Sequence, residues 1–263
     1  MKKYLVIGDP IKHSLSPLLH NHWIKKNNIE AEYDKQKIDN NEFVNLIDKI
    51  KKKELNGINV TVPFKKEIIP FLEKLSSEAE STQSVNTIYL DNNAVVGHNT
   101  DIKGFELAIK DTRYDVVGKN VFILGAGGVV PSIIYALKKM NVSNITISNR
   151  TLSKAENLKD LFQYLKVVNW GQLPNCDMII NATSIGLEDK DKINLDFSTL
   201  GKNKFFFDVI YNPKETNFLK FGKKLGNDTA NGKKMFIFQA AEAFKIWHGI
   251  YPEINKEIEA LID

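Results

Sequence analysis

The sequence predicts an α/β protein with two domains. Short apolar segments rich in β-branched residues alternate with segments of helical spacing along most of the chain. A hairpin signal interrupts that rhythm near residue 92, and a glycine-rich turn opens a second series near residue 125. With 263 residues, 43% of them hydrophobic and 26% charged, the chain is long enough to build two modest cores.

The first domain is predicted from three strand–helix pairs followed by a hairpin. Strands are expected at 3–8, 31–38 and 57–62, and helices at about 15–26, 41–53 and 65–75. Consecutive pairs of this kind imply parallel strands with helical crossovers. Residues 87–90 and 94–98, joined by Asp91-Asn92-Asn93, are then typical of a β-hairpin. Ser14 or Ser16 is the expected cap of the first helix.

The second domain is predicted to begin with a helix at about 102–109. Its strands are expected at 121–124, 144–148, 166–168, 178–180 and 205–208. Strands that alternate with helical segments in this way predict a doubly wound parallel sheet of the Rossmann type. The end of the chain, 234–249 and 252–262, reads as two amphipathic helices with no further strand.

The glycine-rich turn is a candidate nucleotide site. A strand buried on both faces, 121–124, leads into Gly125-Ala126-Gly127-Gly128, and a periodic apolar run follows. Gly125 permits a tight turn, Gly127 lets a diphosphate approach the backbone, and the helix N-terminus offers unpaired N–H groups. The sixth position of the fingerprint is Val130 rather than Gly or Ala, so an ordinary tight turn is the alternative interpretation.

The residues after the second strand of this domain favour NADP over NAD. In an NAD site that strand ends in a carboxylate that binds the ribose hydroxyls, whereas here it is followed by Asn149-Arg150-Thr151, with Lys154 one turn later. Arginine and lysine would neutralise a 2′-phosphate, and the amide and hydroxyl could hydrogen-bond it. The structural alternative is a helix cap in which Thr151 or Ser153 forms a capping box with Glu156.

Composition argues against several classes of function. No stretch approaches the roughly 18 apolar residues that span a bilayer, and the apolar start is broken by Gly8-Asp9-Pro10 too soon for a signal peptide. The single cysteine, Cys176, excludes an internal disulfide framework and argues against zinc, so we interpret it as packing and expect no metal. The net charge of +4 comes from lysines scattered among acids, which argues against nucleic acid. We therefore expect a cytoplasmic protein, monomeric or homodimeric, that binds a small molecule and no membrane.

Four polar clusters of the first domain fall at predicted strand ends or loops. They are Ser14-Leu15-Ser16-Pro17, Asn59-Val60-Thr61-Val62-Pro63-Phe64-Lys65, Val85-Asn86-Thr87 and Gly97-His98-Asn99-Thr100-Asp101. Serine, asparagine and threonine at element ends are usually caps and turns, so each cluster alone has an ordinary structural explanation. Together they predict a lining rich in hydroxyls and amides with one ammonium and one carboxylate. Such a lining suits a polyhydroxylated substrate.

Further stretches repeat one family's motifs in order and spacing. Besides the four clusters they are His20-Asn21, Gly125-Ala126-Gly127-Gly128, Asn149-Arg150-Thr151, Asn181-Ala182-Thr183-Ser184 with Gly186, Asp208-Val209-Ile210-Tyr211-Asn212-Pro213, and Gly232 with Met235 and Gln239. On these motifs the chain resembles the shikimate/quinate dehydrogenase family over essentially its whole length. Val130-Pro131 and Leu187 depart from the residues that are common in that family.

The resemblance implies NADP-dependent, reversible reduction of 3-dehydroshikimate to shikimate, a step of aromatic amino acid biosynthesis. It implies Lys65 and Asp101 as the catalytic pair. The substrate would be held by Ser14, Ser16, Asn59, Thr61, Asn86, Asp101, Tyr211 and Gln239. The cofactor would be lined by Gly125, Ala126, Gly127, Gly128, Val129, Asn149, Arg150, Thr151, Lys154, Ile210 and Gly232. The implied architecture is a substrate domain, 1–101, completed by 233–263, and an inserted NADP-binding domain, 102–232, with the substrate in the cleft between them.

The chemistry expected of Lys65 follows from hydride transfer. Addition of a hydride to a ketone carbon leaves negative charge on oxygen, which an ammonium can protonate. Lys65 is the one cation of the four clusters apart from a histidine, His98, so we expect it to be the acid in reduction and the base in oxidation. Asp101 is expected to orient Lys65 and to bind a substrate hydroxyl. The histidines are expected to be structural or exposed.

Two alternatives stay open from the sequence. One is a paralogue that takes quinate or uses NAD, and the other is a non-catalytic NADP-binding regulator. The absence of a carboxylate at Asn149-Arg150-Thr151 argues against NAD, and the paired serines at 14 and 16 fit shikimate better than quinate. Retention of both Lys65 and Asp101 argues against a regulator.

Overall fold

The structure, a computed structural model, describes residues 1–188 and 190–263. Its strands are β1 (Lys2–Gly8), β2 (Ala31–Lys37), β3 (Gly57–Val60), β4 (Lys74–Leu75), β5 (Thr87–Asp91), β6 (Ala94–His98), β7 (Asn120–Leu124), β8 (Asn144–Ser148), β9 (Lys166–Val168), β10 (Met178–Asn181), β11 (Phe205–Asp208) and β12 (Asp228–Asn231). Its α-helices are α1 (Ser16–Lys26), α2 (Phe43–Lys51), α3 (Ser77–Thr82), α4 (Asp101–Thr112), α5 (Val130–Lys139), α6 (Leu152–Glu156), α7 (Asn217–Lys224), α8 (Lys233–His248) and α9 (Lys256–Leu261).

The chain forms two compact units. Unit 1 consists of Met1–Gly104 together with Ile237–Asp263, and unit 2 consists of Phe105–Phe236. Helices α4 and α8 each contain one of the two points at which the chain passes from one unit to the other. Unit 1 is therefore discontinuous in sequence, and unit 2 is inserted into it.

The sheet of unit 1 is mixed, in the order β2-β1-β3-β5-β6-β4. β1 pairs with both β2 and β3 in parallel, as the strand–helix rhythm predicts, whereas β5 is antiparallel to β3 and to β6. The β5–β6 hairpin is confirmed, and its two connecting residues, Asn92 and Asn93, both have positive φ. Asparagine tolerates that conformation, which a two-residue hairpin turn of this hand requires.

The sheet of unit 2 is parallel throughout, in the order β9-β8-β7-β10-β11-β12. The chain moves outward from β7 to β9 and then returns to place β10 on the other side of β7, so the strand order reverses between β7 and β10. In open sheets of this kind ligands bind at the carboxyl ends of the strands beside such a reversal. The predicted α/β fold class with a doubly wound domain is confirmed.

Burial explains why the central strands read as continuous apolar runs. Four successive residues of β7, Val121 to Leu124, are at most 1% exposed, because helices cover both faces of a parallel sheet. The aromatic rings of β11 contribute much of the core on one face, where Phe206 packs with Phe122, Phe197 and Phe218.

The helix predicted at 65–75 is wrong. Residues 62–68 form successive turns, a short 3₁₀ turn covers Ile69–Phe71, and β4 follows. The apolar spacing of this stretch mimics a helix, but Pro70 lies in its interior. Proline has no N–H to donate and its ring collides with the preceding turn, so a continuous helix cannot form there. The structure also contains α3, which was not predicted and which is capped by the Ser76 side chain.

Three further details differ from expectation. Neither Ser14 nor Ser16 caps α1, whose N-cap position is Leu15. No capping box closes α6, because the Thr151 side chain makes no cap hydrogen bond. β12 was missed because Asp228–Asn231 is a polar strand at the sheet edge, without the apolar run that the inner strands show.

Among the described residues no helix has the length and apolar character needed to cross a membrane.

Candidate active site

A buried ion pair lies at the centre of the polar clusters of unit 1. The Nζ atom of Lys65 donates to Oδ2 of Asp101 over 2.5 Å, and both side chains are about nine-tenths buried. Lys65 lies in the turn that follows β3, and its backbone carbonyl accepts a hydrogen bond from Val85 N. Asp101 is the first residue of α4, where the helix dipole favours a carboxylate. The structure thus places side by side the ammonium and carboxylate that the sequence singled out.

Asn86 is the hub of the surrounding network. Its amide nitrogen donates to Asp101 Oδ1 over 3.0 Å, to Thr100 Oγ1 over 2.9 Å and to Gln239 Oε1 over 3.4 Å. Its amide oxygen accepts from the backbone N–H of Thr100 and from the hydroxyl of Thr87. Both oxygens of Asp101 are therefore held, one by an amide and one by an ammonium, which fixes the rotation of the carboxylate.

The loops after β1 and β3 approach each other closely beside this network. Thr61 N donates to Ile7 O, and a Cβ on Gly8 would lie 2.4 Å from the Thr61 methyl carbon. Any larger residue at position 8 would push Thr61 away. Asn59, on β3, donates to Asn86 O over 3.0 Å and to Thr87 Oγ1 over 3.1 Å. The glycine thus secures the position of Thr61, one of the predicted substrate residues.

The remaining predicted substrate residues are divided between the two units. Ser14 and Ser16 precede and begin α1, and the Ser14 hydroxyl accepts from Ser16 N over 3.3 Å. Gln239 lies on the part of α8 that belongs to unit 1. Tyr211 lies in unit 2, where its ring stacks on Phe236 with centroids 4.8 Å apart. Direct hydrogen bonds join four of the predicted site residues, namely Lys65, Asp101, Asn86 and Gln239.

The glycine turn of unit 2 has the geometry of a phosphate site. Gly125 has φ +107°, and a Cβ there would lie 2.7 Å from the Ala182 carbonyl oxygen, at the start of the loop after β10. Gly127 is exposed, and a Cβ there would meet no atom closer than 4.0 Å outside its chain neighbours. Val129, at the N-cap position of α5, makes no side-chain cap hydrogen bond, and the positive end of the helix dipole lies at this turn. This backbone suits a diphosphate.

The loop after β8 presents positive charge and no carboxylate. Arg150, Thr151 and Lys154 are exposed, and among the described residues neither cation forms an ion pair. The Asn149 amide donates to Thr151 O over 2.8 Å and closes the loop. Cations without a partner can bind an added phosphate without first breaking another contact. The residues present therefore fit NADP.

Ile210 is positioned by a buried carboxylate at the end of β11, and Gly232 N donates in turn to Ile210 O. Asp208 accepts hydrogen bonds from Asn181 Nδ2, Ile210 N and Thr216 Oγ1, at 3.0, 3.0 and 2.6 Å. Burial raises the pKa of Asp208, against the effect of these donors. A Cβ on Gly232 would lie 1.9 Å from Val209 O, so only glycine permits this contact between two loops. Within residues 1–188 and 190–263, no group of three or more metal-ligating side chains is placed to hold an ion.

Burial lowers the pKa of three histidines of unit 1, His20, His98 and His248, which favours their neutral form. Burial lowers the pKa of His98, whose Nδ1 lies 2.5 Å from Ser76 Oγ. Burial lowers the pKa of His20 to about 3, and that of His248 falls to about 4. His20 is 1% exposed and stacks flat on Tyr33, with ring centroids 4.3 Å apart. The expectation that His20 and His98 are not the reacting cations agrees with this burial.

We expect the buried histidines to destabilise the protein in acid. The unfolded chain takes up a proton on His20 near pH 6.5, whereas the folded chain does so only near pH 3. Stability is therefore fully present above pH 6.5 and falls by about 1.4 kcal/mol per pH unit below it for a fully buried histidine. Urea unfolding at pH 7, 6 and 5 measures the slope. His20→Gln should flatten it, while the same change at exposed His13 should not; equal slopes in both variants would contradict the assignment.

Three residues of this network were not singled out as site residues by the sequence. Thr87 and Thr100 lie inside predicted clusters, and a signal for them was present in the run of hydroxyls and amides there. Tyr33 lies in β2, and its hydroxyl donates to Asn59 Oδ1 over 2.6 Å. No local pattern marks Tyr33, because the contact joins residues 26 positions apart.

Comparison with known proteins agrees with this geometry. A family profile described as the shikimate dehydrogenase substrate binding domain matches residues 6–88, and one described as shikimate/quinate 5-dehydrogenase matches residues 106–215. The shikimate dehydrogenase (NADP(+)) of Pelagibacter ubique strain HTCC1062 is 56% identical over 262 residues, which cover 100% of this chain and 99% of the relative.

Solved structures agree with these sequence matches. Shikimate dehydrogenase from Aquifex aeolicus is 35% identical with a TM-score of 0.89, covering 100% of this chain and 97% of that one. The enzyme from Thermus thermophilus, in complex with NADP(H) and shikimate, is 27% identical with a TM-score of 0.90, covering 100% and 98%. The two profiles together match most of the chain, and the identity to the Pelagibacter protein extends over its full length. The chain therefore belongs to the shikimate dehydrogenase family of NADP-dependent oxidoreductases.

Proposed function

We propose that this chain catalyses the reversible, NADP-dependent reduction of 3-dehydroshikimate to shikimate. The observation that carries the proposal is the buried Lys65–Asp101 pair, set among the amides of Asn86 and Gln239. A ketone that becomes an alcohol needs a proton at its oxygen, and polar groups beside the pair can bind the other hydroxyls of the ring. Family membership supplies the substrate class.

The residues act as follows in the proposed mechanism. NADPH, when bound, supplies the hydride. Lys65 Nζ faces the carbonyl oxygen and gives it a proton as negative charge develops there; in oxidation the same nitrogen removes the proton from the alcohol. Asp101 Oδ2 accepts a hydrogen bond from Lys65 and keeps the ammonium in one orientation, while Oδ1 is held by Asn86. The pair thus fixes the proton donor in advance of the reaction, which reduces the reorganisation required.

We also propose which residues bind the cofactor and which bind the substrate. We assign the diphosphate to Gly125, Ala126, Gly127, Gly128 and Val129, and the 2′-phosphate to Asn149, Arg150, Thr151 and Lys154. Ile210 and Gly232 are assigned to the same cofactor site. Ser14, Ser16, Asn59, Thr61, Asn86, Asp101, Tyr211 and Gln239 are assigned to the substrate. The division into units supports the proposal that 1–101 with 233–263 binds substrate and that 102–232 binds NADP.

A spectrophotometric assay tests the function. The purified protein is mixed with shikimate or quinate and with NADP or NAD, and the absorbance of reduced nicotinamide is followed. We expect the fastest rate with shikimate and NADP. Faster turnover of quinate, or of NAD, would instead identify a paralogue of different specificity. No reaction with any of the four pairs would favour a non-catalytic NADP-binding regulator.

We also propose that the enzyme acts in the cytoplasm as a monomer or a homodimer. A single buried cysteine, whose pKa burial raises to about 12, supports a chain that neither needs nor forms disulfides. Cell fractionation tests the location. Light scattering of the purified protein gives the mass, and a species larger than a dimer would contradict this proposal.

A further inference from the structure

Tyr33 is held in place by contacts to both its backbone and its ring. Its backbone N–H and C=O are both bonded by the Asn21 side chain, at 2.9 and 2.7 Å. Its ring lies flat on His20, with an interplanar angle of 2°. Both contacts come from α1, the helix that begins at Ser16. The phenol therefore has one fixed position relative to that helix.

The Tyr33 hydroxyl holds the oxygen of the Asn59 amide. On its other side Asn59 meets Asn86 O, which can only accept a hydrogen bond, so the amide nitrogen must face it. The amide oxygen then faces Tyr33 and accepts the phenolic proton over 2.6 Å. Burial raises the pKa of the Tyr33 phenol, which favours its protonated, donating form. The Tyr33 hydroxyl thus joins β2 to a predicted substrate residue on β3.

The orientation set at Asn59 extends to the catalytic carboxylate. The Asn59 amide donates to Thr87 Oγ1, whose proton is then directed to Asn86 Oδ1 over 3.0 Å. With its oxygen occupied, Asn86 presents its amide N–H groups to Thr100 and Asp101. Each group in this series has its donor and acceptor roles fixed by the group before it.

We infer that Tyr33 is a positioning residue for substrate recognition, acting through Asn59. The inference rests on the proposed function, because it concerns the affinity for shikimate. Without the phenolic proton the Asn59 oxygen is buried with no donor, and the amide is held only at its nitrogen side. Asn59 then no longer presents one fixed arrangement of donor and acceptor to the hydroxyls of the substrate.

The test compares Tyr33→Phe with Tyr4→Phe. Tyr4 pairs with Tyr33 across the β1–β2 ladder and is similarly buried, but among the described residues its hydroxyl bonds to none of the site residues. We expect Tyr33→Phe to raise the KM for shikimate about tenfold, the effect of losing about one hydrogen bond, with the KM for NADP unchanged and kcat altered less than threefold. Tyr4→Phe should leave all three constants as in the wild type. A merely structural role would lower the active fraction, and hence kcat, without raising KM.

A double-mutant cycle with Asn59→Ala tests the route of the effect. If Tyr33 acts through Asn59, Tyr33→Phe adds less than twofold to the KM in the Asn59→Ala background. An equal tenfold effect in both backgrounds, or a shikimate KM for Tyr33→Phe within twofold of that for Tyr4→Phe, would overturn the inference. A wild-type protein inactive with shikimate would instead refute the proposed function, so the two failures are distinguishable.

A measurement on the unsubstituted protein covers the case in which Tyr33→Phe does not fold. A buried phenolic proton held by an acceptor exchanges slowly with solvent, so NMR should show a Tyr33 hydroxyl resonance with a nuclear Overhauser effect to the Asn59 amide group. A Tyr33 hydroxyl that exchanges freely would overturn the inference without any variant.

Discussion

Lys65→Met is expected to reduce kcat by about a thousandfold and to change the KM for shikimate less than threefold. A positioned general acid contributes about 10²- to 10⁴-fold to a proton transfer, whereas the substrate is bound mainly by other residues that the substitution leaves in place. Steady-state kinetics in both directions measure the two constants. Lys66→Met is the matched control, since Lys66 is the next residue and is exposed. Wild-type turnover in Lys65→Met would refute the catalytic assignment.

The same substitution leaves the Asp101 carboxylate buried without its cation. Breaking a buried pair in this way typically costs about 3–5 kcal/mol, so Lys65→Met should also unfold at lower temperature. Lys65→Arg separates the two effects, because arginine retains the charge next to Asp101 but does not release a proton near neutral pH. We expect Lys65→Arg to recover most of the lost stability and little of the lost turnover. Circular dichroism and calorimetry establish the folded fraction for each variant.

Arg150→Ala is expected to lower kcat/KM for NADP about 10- to 100-fold and to leave kcat/KM for NAD within threefold. The reason is that a guanidinium hydrogen-bonds a phosphate with charge assistance, and NAD lacks that phosphate. Because Arg150 is exposed, the effect should shrink as salt is added. The measurement is the ratio of the two specificity constants at low and at high ionic strength.

Lys166→Ala provides the control for charge in general. Lys166 is an exposed cation on β9 of the same unit, in contact with Asn144 rather than with the loop after β8. We expect the Lys166→Ala variant to keep the preference of the wild-type protein for NADP over NAD. Equal losses with both cofactors in Arg150→Ala, or an equal loss of preference in Lys166→Ala, would show that Arg150 does not read the 2′-phosphate.

Much of unit 2 could be predicted because each of its segments shows the pattern of only one type of secondary structure. β8, β9 and β11 begin and end at the expected residues, since each is a short apolar run between polar turns. The helix predicted after Thr61 was wrong because two sequence patterns in that stretch favour different structures. Its apolar spacing fits a helix, but Pro70 forbids one, and the proline prevails because it removes a donor and adds a clash.

The candidate site could be predicted as a set of residues but not as a network. Polar side chains at strand ends identify Asn59, Asn86 and Asp101, because the ends of strands are where sites are built. The direction of each hydrogen bond depends on partners far away in sequence, such as Tyr33 for Asn59. The local patterns of a single sequence do not show which distant residues come into contact. These hydrogen bonds are therefore visible only in the folded structure.

The insertion of unit 2 into unit 1 has a consequence for synthesis on the ribosome. Trp247, on α8, occupies the space beside Gly57, where a Cβ would lie 2.3 Å from the indole nitrogen, and that nitrogen donates to Ile88 O. The sheet of unit 1 therefore lacks part of its cover until residues 237–263 have been translated. At about 5–20 residues per second, its first 104 residues wait on the order of ten seconds while unit 2 is made. Unit 2 can finish folding first, while residues 1–104 stay exposed to chaperones.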